Sequence, residues 1–504
     1  MRAKNAALLL AIFGISVLVR LPLLDKPLSH PREWLTATVL RHLEIWNEEG
    51  LAKAHFAPIT TYPGAANENI NNEASEHKDA EGNYYYTSFP PLAYYAPYAV
   101  FEILHVKPGV LPIQIFGLAL HFLSGLFVYL SVRRILGKTN STAAPVIAFI
   151  VYIFAPMTLW LQANVYMSDI FAQVLFAAGI YVWLRLATSP AVGGWECVVF
   201  GVLVFAFVYS EWLGVLFAIS VVLYAMVTRG QPSRFRLTLS AVLGTIAALG
   251  LTVWQYSQIA GFHAFYASLH QRFTLRSGLG QQDQLTFHPW QPLGWLFLLT
   301  YYALAYGADI VLLFLWMSLG AQTAGITHRI KSAISFAAVL PFMLHHLLLF
   351  NFTAAHEFSV LKAAPFLAIV SGLLATKLEN KTDPIWRLKP RSLVIASLLL
   401  CCVSCVWVYS LVVGPETSAY KTIGDFIAQN ARPDEIVFAQ YQRPSNKADR
   451  PLPQIVYYAH RNIAVWSGEA YARKLSQMNG VSKIVVFVIN PEETAVQSMR
   501  RLSF

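Results

Sequence analysis

Apolar stretches separated by short polar segments run through most of the chain. They lie near residues 6–24, 112–132, 142–160, 167–186, 196–209, 212–228, 237–256, 293–316, 333–350, 359–376 and 392–413. A helix crosses a bilayer in about 20 apolar residues, and most of these stretches have that length. The pattern therefore predicts an α-helical polytopic membrane protein with about eleven spanning helices, of which those at 196–209 and 212–228 are the shortest.

A long polar segment at 25–111 follows the first apolar stretch and contains two helical patterns of its own. Apolar residues recur at helical spacing within 32–49, which predicts an amphipathic helix. Residues 91–105 are apolar but too short for a span, and they are rich in Tyr and Pro, as suits a helix at the level of the lipid headgroups. We expect both helices to lie along the membrane surface and to cover a cavity above the spans.

The composition changes after residue 413. Hydrophobic runs shorten to strand length at 436–439, 455–458 and 483–490, and they alternate with helical patterns at 418–429 and 467–478. The chain therefore divides into a membrane domain at 1–413, which includes the 25–111 segment, and a small α/β domain at 414–504.

Composition and charge agree with a membrane protein. Of the 504 residues, 56% are hydrophobic and only 13% are charged, whereas soluble domains carry about 25% charged residues. The formal net charge is +10, but the basic residues fall in short clusters between apolar stretches, so we expect no nucleic-acid partner. The cysteines lie in apolar runs and predict no disulfide framework; they are Cys197, Cys401, Cys402 and Cys405.

The distribution of Lys and Arg predicts the topology, because cytoplasmic loops are enriched in these residues. The predicted inner loops carry Arg133, Arg134, Lys138, Arg185, Arg229, Arg234, Arg236, Arg329, Lys331, Lys377, Lys381, Arg387, Lys389 and Arg391. The N-terminus is then inside, and the first span is an uncleaved helix. The 25–111 segment and the C-terminal domain lie outside.

Acidic residues occur at the predicted outer ends of the spans. Glu33 begins the helix that follows the first span; a fixed carboxylate there suits a general base, and an acidic residue in a first helical turn equally suits the helix dipole. Asp169 at the start of the 167–186 span also suits the helix dipole, and it faces the same side of the membrane as Glu33. Glu211 lies in another outer turn, and ionisable groups at membrane depth usually line a cavity. Three carboxylates on one side favour a metal or acceptor site.

Basic residues on the same side suggest an anionic ligand. Lys362 begins a late span, where a lysine either extends to the interface or binds a phosphate. Residues 257–292 are predicted to form an outer loop, in which Arg272 and Arg276 lie among aromatic residues; this pattern fits a lipid-phosphate or sugar site as well as a solvated loop. The sequence has no phosphate-binding glycine loop, nucleotide fingerprint or zinc spacing.

Several motifs, in this order along the chain, resemble those of GT-C type integral-membrane glycosyltransferases. They are His-Pro-Arg-Glu at 30–33, Phe-Pro-Pro-Leu-Ala-Tyr-Tyr at 89–95, Val-Arg-Arg-Ile-Leu-Gly at 132–137, Ser-Asp at 168–169, and His-Glu-Phe at 356–358 followed by Ala-Pro-Phe-Leu at 364–367. The resemblance is nearest to the family 39-like branch of protein mannosyltransferases and lipid A aminoarabinose transferases. It covers about residues 1–413.

The resemblance implies transfer of a hexose or pentose, with inversion, from a polyprenyl-phosphate-linked donor to a glycan, lipid or protein acceptor. It places the site on the outer face of the plasma (inner) membrane. Glu33 matches the family's catalytic carboxylate, which is usually Asp, and serves as general base; Asp169 matches the second acidic position. The implied substrate-binding residues are His30, Arg32, Tyr86, Glu211, Arg272, Arg276, His356, Glu357 and Lys362. Metal dependence is left open, and any divalent cation is expected at Glu33 and Asp169.

Two other classes of protein are alternatives. A lipid-linked-sugar transporter would have charged residues near the middle of its spans and paired helix breaks, whereas the charges here lie mostly at span ends, with Asp309 as the exception. A polysaccharide ligase or polymerase shares the lipid-linked donor but usually has its largest loop late in the chain. Here the longest loop is the first.

Overall fold

The computed structural model describes residues 3–73, 77–137, 143–189, 191–228, 234–280, 286–318, 327–379, 389–441, 451–490 and 494–504. Of the basic residues used for the topology, Lys138, Arg229, Lys381 and Arg387 lie outside these ranges, as does the side chain of Lys377.

Helices make up most of the described chain. The first ten are α1 (Ala3–Arg20), α2 (Glu33–Glu49), α3 (Leu92–Leu104), α4 (Val110–Leu136), α5 (Ala143–Phe154), α6 (Pro156–Asn164), α7 (Ser168–Ala187), α8 (Gly194–Val208), α9 (Leu213–Val227) and α10 (Arg234–Ala260). The next seven are α11 (Phe262–Ser277), α12 (Pro292–Ser318), α13 (His328–Ile334), α14 (Leu340–Leu348), α15 (Phe350–Ala355), α16 (Ala364–Glu379) and α17 (Pro390–Val413). A 3₁₀ turn at Glu357–Ala363 leads into α16.

Every apolar stretch predicted as a span coincides with helix, which confirms a multi-pass helical membrane protein. Within the described residues, eight helical segments have the length and composition of a span. Helices α5 and α6 form a ninth if the pair crosses as one unit, bent by 63°. The bend falls at Pro156, because proline lacks the amide proton for the helical hydrogen bond and its ring clashes with the preceding turn. Helices α8 and α9 are apolar but have 15 residues each.

Small residues allow the spans to pack closely. A Cβ atom added at Gly244 of α10 would lie 2.5 Å from the carbonyl oxygen of Gly201 in α8. Only glycine fits at such a contact, and small residues at helix crossings are how membrane helices approach one another. Helix α4 packs in the same bundle against α5 and α7.

The 25–111 segment is a folded layer on one end of the bundle. It contains the two helices expected from the sequence, α2 and α3. Helix α2 ends where Gly50 adopts a φ of 84°, a conformation that favours glycine. Short bridges join Ile59 to Tyr85 and Lys78 to Tyr84.

The segment at 257–292 differs from the predicted loop. Helix α10 continues to Ala260, and residues 262–277 form a separate helix, α11, between Gly261 and Gly278, whose φ values are 85° and 80°. The hydrophobic pattern does not show this helix because its polar and aromatic residues have no clear helical period.

The C-terminal part contains α18 (Ala419–Asn430), α19 (Pro453–Ala459), α20 (Glu469–Asn479) and a sheet of β1 (Glu435–Tyr441), β2 (Ile463–Val465), β3 (Lys483–Ile489) and β4 (Val496–Ser503). The strand order is β2-β1-β3-β4; β1 runs parallel to β2 and β3, and β4 is antiparallel to β3. The small α/β fold is therefore confirmed.

The strand predicted at 455–458 is wrong, because these residues belong to α19. Pro453 fits the first turn of a helix, and periodicity does not separate a short apolar run in a strand from one in a helix. Strands β2 and β4 were not predicted, since β2 has three residues and β4 is largely polar.

The C-terminal sheet packs directly on the 25–111 segment. The amide of Asn462 contacts three backbone groups of that segment: its Oδ1 accepts from Tyr62 N at 2.7 Å, and its Nδ2 donates to the carbonyls of Ile70 at 3.1 Å and Thr60 at 3.3 Å. Asn72 in turn pairs with the backbone of Ile463. The two regions form one continuous layer over the same end of the bundle.

Candidate active site

A cavity of about 460 Å³ lies between this layer and the ends of the spans. Helix α2, the 25–111 segment, the start of α7, α11 and the region around α15 contribute its walls. The polar residues that line it are Thr38, Glu73, Tyr86, Tyr94, Ser168, Asp169, Arg272, Arg276, Asn351 and His356. Aromatic side chains, including Trp34, Phe89 and Phe352, form much of the remaining surface.

Asp169 reaches the cavity because the turn before α7 is held from two sides. Thr36 of α2 accepts a hydrogen bond from the amide of Tyr166 at 2.9 Å. The Tyr166 hydroxyl donates to the carbonyl of Ala93 in α3 at 2.6 Å. Asp169 then lies in the first turn of α7, where the helix dipole favours a negative charge.

A buried ion pair joins Asp169 to Lys362. The two side chains are 5% and 3% exposed, and the Lys362 ammonium donates to the Asp169 carboxylate. Glu211 lies close enough to interact electrostatically with Lys362, and its Oε1 is 3.7 Å from Nε2 of His345. The structure therefore brings Asp169, Glu211 and Lys362 together, with Lys362 directed at a carboxylate.

Arg272 and Arg276 lie one helical turn apart on α11, so both face the cavity. The Arg276 guanidinium packs over the rings of Phe89 and Phe352, at 4.5 Å and 5.1 Å from their centroids. Among the residues that the structure describes, no carboxylate lies within ion-pair distance of Arg276.

Two further predicted residues line the cavity and two lie at its margin. His356 packs on Phe352, with ring centroids 4.6 Å apart, and burial lowers the pKa of His356, so its imidazole is neutral at pH 7. Tyr86 lies on the same surface. Arg32 donates to both carboxylate oxygens of Glu357 and so links the start of α2 to the 3₁₀ turn before α16.

Glu33 and His30 lie outside the set of residues that line the cavity. One oxygen of the Glu33 carboxylate accepts from the amides of Ser29 at 2.7 Å and His30 at 2.8 Å. His30 Nδ1 is 3.0 Å from the carbonyl of Val413, at the end of α17. Burial raises the pKa of Glu33 to about 7, against the lowering effect of the two amides.

Two residues near the site, Glu73 and His345, were not predicted from the sequence. Glu73 lines the cavity, accepts from Thr38 at 3.0 Å and pairs with buried Arg41 at 2.6 Å. It lies in a polar stretch that has no helical or strand pattern, so nothing in the sequence distinguishes it. His345 lies in an apolar span. Because ionisable residues are rare within spans, its position alone could have identified it as a candidate functional residue.

The residues considered for a divalent cation do not fit one. Asp169 is engaged by Lys362, and Glu33 by backbone amides. Within the described part of the chain, no group of three converging His, Cys, Asp or Glu side chains includes either residue.

The raised pKa of Glu33 predicts a pH-dependent stability. The folded chain holds the Glu33 proton up to about pH 7, whereas the unfolded chain loses it near pH 4.5. Between these values the folded state binds more protons, so the free energy of unfolding falls as the pH rises, by about 3 kcal/mol in total. Glu33→Gln resembles the protonated form and should lack this loss. Thermal unfolding at pH 5 and pH 8 measures the difference.

Glu48→Gln, at an exposed position of the same helix, is the matched control and should follow the unsubstituted chain. Parallel stability curves for the Glu33→Gln variant and the unsubstituted chain would contradict a raised Glu33 pKa.

Solved structures of membrane glycosyltransferases resemble this chain over nearly its whole length. ArnT from Cupriavidus metallidurans, bound to undecaprenyl phosphate, has a TM-score of 0.61 at 14% identity and covers 97% of this chain and 94% of its own. The archaeal oligosaccharyltransferase AglB from Archaeoglobus fulgidus, in complex with an inhibitory peptide and a dolichol-phosphate, has a TM-score of 0.57 at 12% identity, over 96% of this chain and 70% of its own.

The mycobacterial arabinofuranosyltransferase AftD has a TM-score of 0.50 at 11% identity and covers 95% of this chain and 36% of its own. No family model and no curated protein matches the sequence. The structural likeness shows that this chain has the GT-C glycosyltransferase fold, as its motifs predict.

Proposed function

We propose that this protein is an inverting membrane glycosyltransferase. It moves a sugar from a polyprenyl-phosphate-linked donor to an acceptor on the outer face of the plasma membrane. The observation that carries the proposal is a single cavity at the end of the spans that contains both a carboxylate, Asp169, and two arginines, Arg272 and Arg276.

The charge of the cavity favours a phosphate. Lys362 pairs with Asp169, and Arg41 pairs with Glu73. Arg276 has no carboxylate within ion-pair distance among the described residues, so its positive charge favours an anion in the cavity. Arginine binds phosphate with fixed, forked geometry. The aromatic walls suit the sugar and the first isoprenoid units. Two of the similar folds were solved with polyprenyl phosphates, which supports a donor of this class.

In the proposed reaction the bond between the anomeric carbon and the phosphate oxygen breaks, while the acceptor oxygen forms its bond to the opposite face of that carbon. The acceptor proton passes to the Asp169 carboxylate. The polyprenyl phosphate leaves with the electron pair of the broken bond, and the two arginines stabilise the charge that grows on it. Attack opposite the leaving group inverts the configuration.

Asp169 is a better candidate for the general base than Glu33. A base must reach the proton that it removes, and Asp169 lines the cavity whereas Glu33 does not. The raised pKa of Glu33 would suit proton transfer, but burial, with a smaller contribution from the nearby charge of Glu416, is sufficient to explain it. We assign Glu33 to holding the turn between α1 and α2, through the amides of Ser29 and His30.

The orientation follows from the distribution of basic residues. Arg134 donates to Thr188 and Arg329 to the carbonyl of Ser189, so the basic ends of α4, α7 and α13 lie together. The first turn of α7, with Asp169, is at the opposite end of that helix. Basic ends usually face the cytoplasm, which supports an outer position for the cavity.

Reporter fusions test this orientation. A reporter that is active only outside the cytoplasm, joined after Gly414, should give a signal, and one joined after Arg134 should not. The reverse pair of signals would contradict the proposed location of the site.

Substitution of the two acidic residues tests the base. With radiolabelled polyprenyl-phosphate sugars as donors and release of polyprenyl phosphate as the readout, Asp169→Asn should lower turnover by roughly 10² to 10⁴, the usual contribution of a general base. Glu33→Gln should stay near the unsubstituted rate, because its amide oxygen still accepts from the Ser29 and His30 amides. A large loss in Glu33→Gln with none in Asp169→Asn would make Glu33 the base.

Asp169→Asn also leaves the buried Lys362 ammonium without its partner, which costs about 3–5 kcal/mol of stability. The double variant Asp169→Asn, Lys362→Met removes that unpaired charge. If its turnover stays low while donor binding persists, the loss is due to the carboxylate. Recovery of turnover in the double variant would reduce Asp169 to a structural role.

Arg276 tests the phosphate site. Arg276→Gln should weaken binding of polyprenyl phosphate by roughly 10- to 100-fold, since hydrogen bonds to charged groups contribute about 1.5–3 kcal/mol. Arg276→Lys keeps the charge and should lose less. Arg391→Gln, at an exposed position in the first turn of α17, is the control. Unchanged binding in Arg276→Gln would remove Arg276 from the donor site.

A further inference from the structure

A second cluster of ligand-type side chains lies between the spanning helices α12 and α17. Asp309 of α12 faces Cys401 and Cys405 of α17, which are one helical turn apart and therefore share a face. The exposed fractions are 1% for Asp309, 7% for Cys401 and 1% for Cys405. None of the three lines the cavity described above.

The protein groups around Asp309 do not satisfy its carboxylate. Its Oδ1 accepts from Cys401 Sγ at 3.3 Å, and a thiol is a weak donor. Its Oδ2 has no hydrogen-bond partner among the described residues. A buried acidic group with one weak hydrogen bond is costly in a spanning helix, where neighbouring polar groups or a cation normally compensate it.

The spacing of the three ligand atoms matches the edges of a metal tetrahedron. Zinc bonds of about 2.3 Å to sulfur and about 2.1 Å to oxygen imply sulfur–sulfur edges of about 3.8 Å and sulfur–oxygen edges of about 3.6 Å. The observed separations are 4.0 Å between Cys401 Sγ and Cys405 Sγ, and 3.3 Å between Cys401 Sγ and Asp309 Oδ1. All three ligand atoms lie within 4.8 Å of one another.

We propose that Asp309, Cys401 and Cys405 bind a zinc ion that joins α12 to α17. Both thiols lose their protons on binding, and the two thiolates and the carboxylate occupy three of the four tetrahedral positions. Thiolate ligands select soft or borderline cations, which excludes magnesium and calcium. Helices α12 and α17 are already joined by a hydrogen bond of 2.9 Å from Trp316 to Ser397. The zinc ion adds a second cross-link between them. The site is independent of the proposed glycosyltransferase activity.

A proton is the competing occupant. A neutral Asp309 would hydrogen-bond to the thiols without any metal, and zinc content distinguishes the two states. The full chain, purified in detergent, is equilibrated with zinc chloride, desalted and analysed by elemental mass spectrometry. The unsubstituted protein should retain equimolar zinc. The zinc content of the variants Cys401→Ser, Cys405→Ser and Asp309→Asn should be at or near background.

Cys402→Ser is the matched control, because Cys402 adjoins Cys401 but is not among the converging ligands; it should retain zinc. Cobalt substitution gives a second readout, since two thiolate ligands produce an intense near-ultraviolet charge-transfer band that Cys401→Ser should lose. A chelator should lower the unfolding temperature of the unsubstituted chain and leave that of Cys405→Ser unchanged.

Size-exclusion profiles before metal addition show which variants are folded, and Asp309→Asn, which keeps both thiols, provides a second variant if a serine substitution misfolds. Background zinc in the unsubstituted chain would overturn the proposal. Equal zinc retention in the Cys401→Ser and Cys402→Ser variants would overturn it as well.

Discussion

The buried pair of Asp169 and Lys362 determines how the site is built. It joins the first turn of α7 to the 3₁₀ turn that precedes α16, two elements that are 193 positions apart in the chain. Either charge alone would be unfavourable at this depth, because removing an ion from water costs several kcal/mol unless the attraction of a partner compensates that cost. Once paired, the two residues add no net charge to the cavity. Glu73 and Arg41 cancel in the same way, whereas Arg276 of α11 contributes a positive charge that no described carboxylate pairs with.

Sequence patterns were sufficient to identify the long spanning helices and part of the site, whereas the sequence predicts about eleven spans and eight or nine have the length and composition of a span in the described residues. Apolar length identified each spanning segment, and the bilayer requires the backbone to satisfy its own hydrogen bonds, so a long apolar run has few alternatives to a helix. Asp169, Arg272 and Arg276 were recognisable because charges are rare in this chain: Asp169 begins a span, and the two arginines lie in a segment between spans on the same predicted side. The spacing of the arginines also places them on one face of any helix that contains them.

The pairing of these charges was not predictable from the sequence. Nothing local links Lys362 to Asp169, and a lysine near the interface is compatible with a phosphate, a carboxylate or the water layer. Glu73 belongs to a stretch without periodicity, where burial depends wholly on tertiary packing. The same limit explains α11 and α19: both segments are short or irregular in pattern, and their helical state is set by glycine and proline at their ends and by the surfaces that they contact.

The layer over the bundle depends on contacts between regions far apart in the sequence. Asn462 satisfies three backbone groups of the 25–111 segment. That segment forms only short β-bridges of its own in the described residues. A buried backbone group without a partner costs about 1–3 kcal/mol, so the C-terminal sheet supplies bonds that this segment needs to stay ordered. Helix α2 and the turn before α7 are in turn held against that segment. The C-terminal domain therefore acts on the cavity indirectly, by fixing the layer from which Thr36 positions Asp169.

Arg32 joins this layer to the late spans. Its backbone has a φ of 68°, a left-handed conformation that is unfavourable for a residue with a Cβ atom, and its side chain forms a two-point pair with Glu357. The pair lies beside His356, which lines the cavity. A strained backbone persists only where surrounding contacts determine it, and the ion pair with Glu357 is one such contact. Layer and bundle are thus held together at the margin of the cavity.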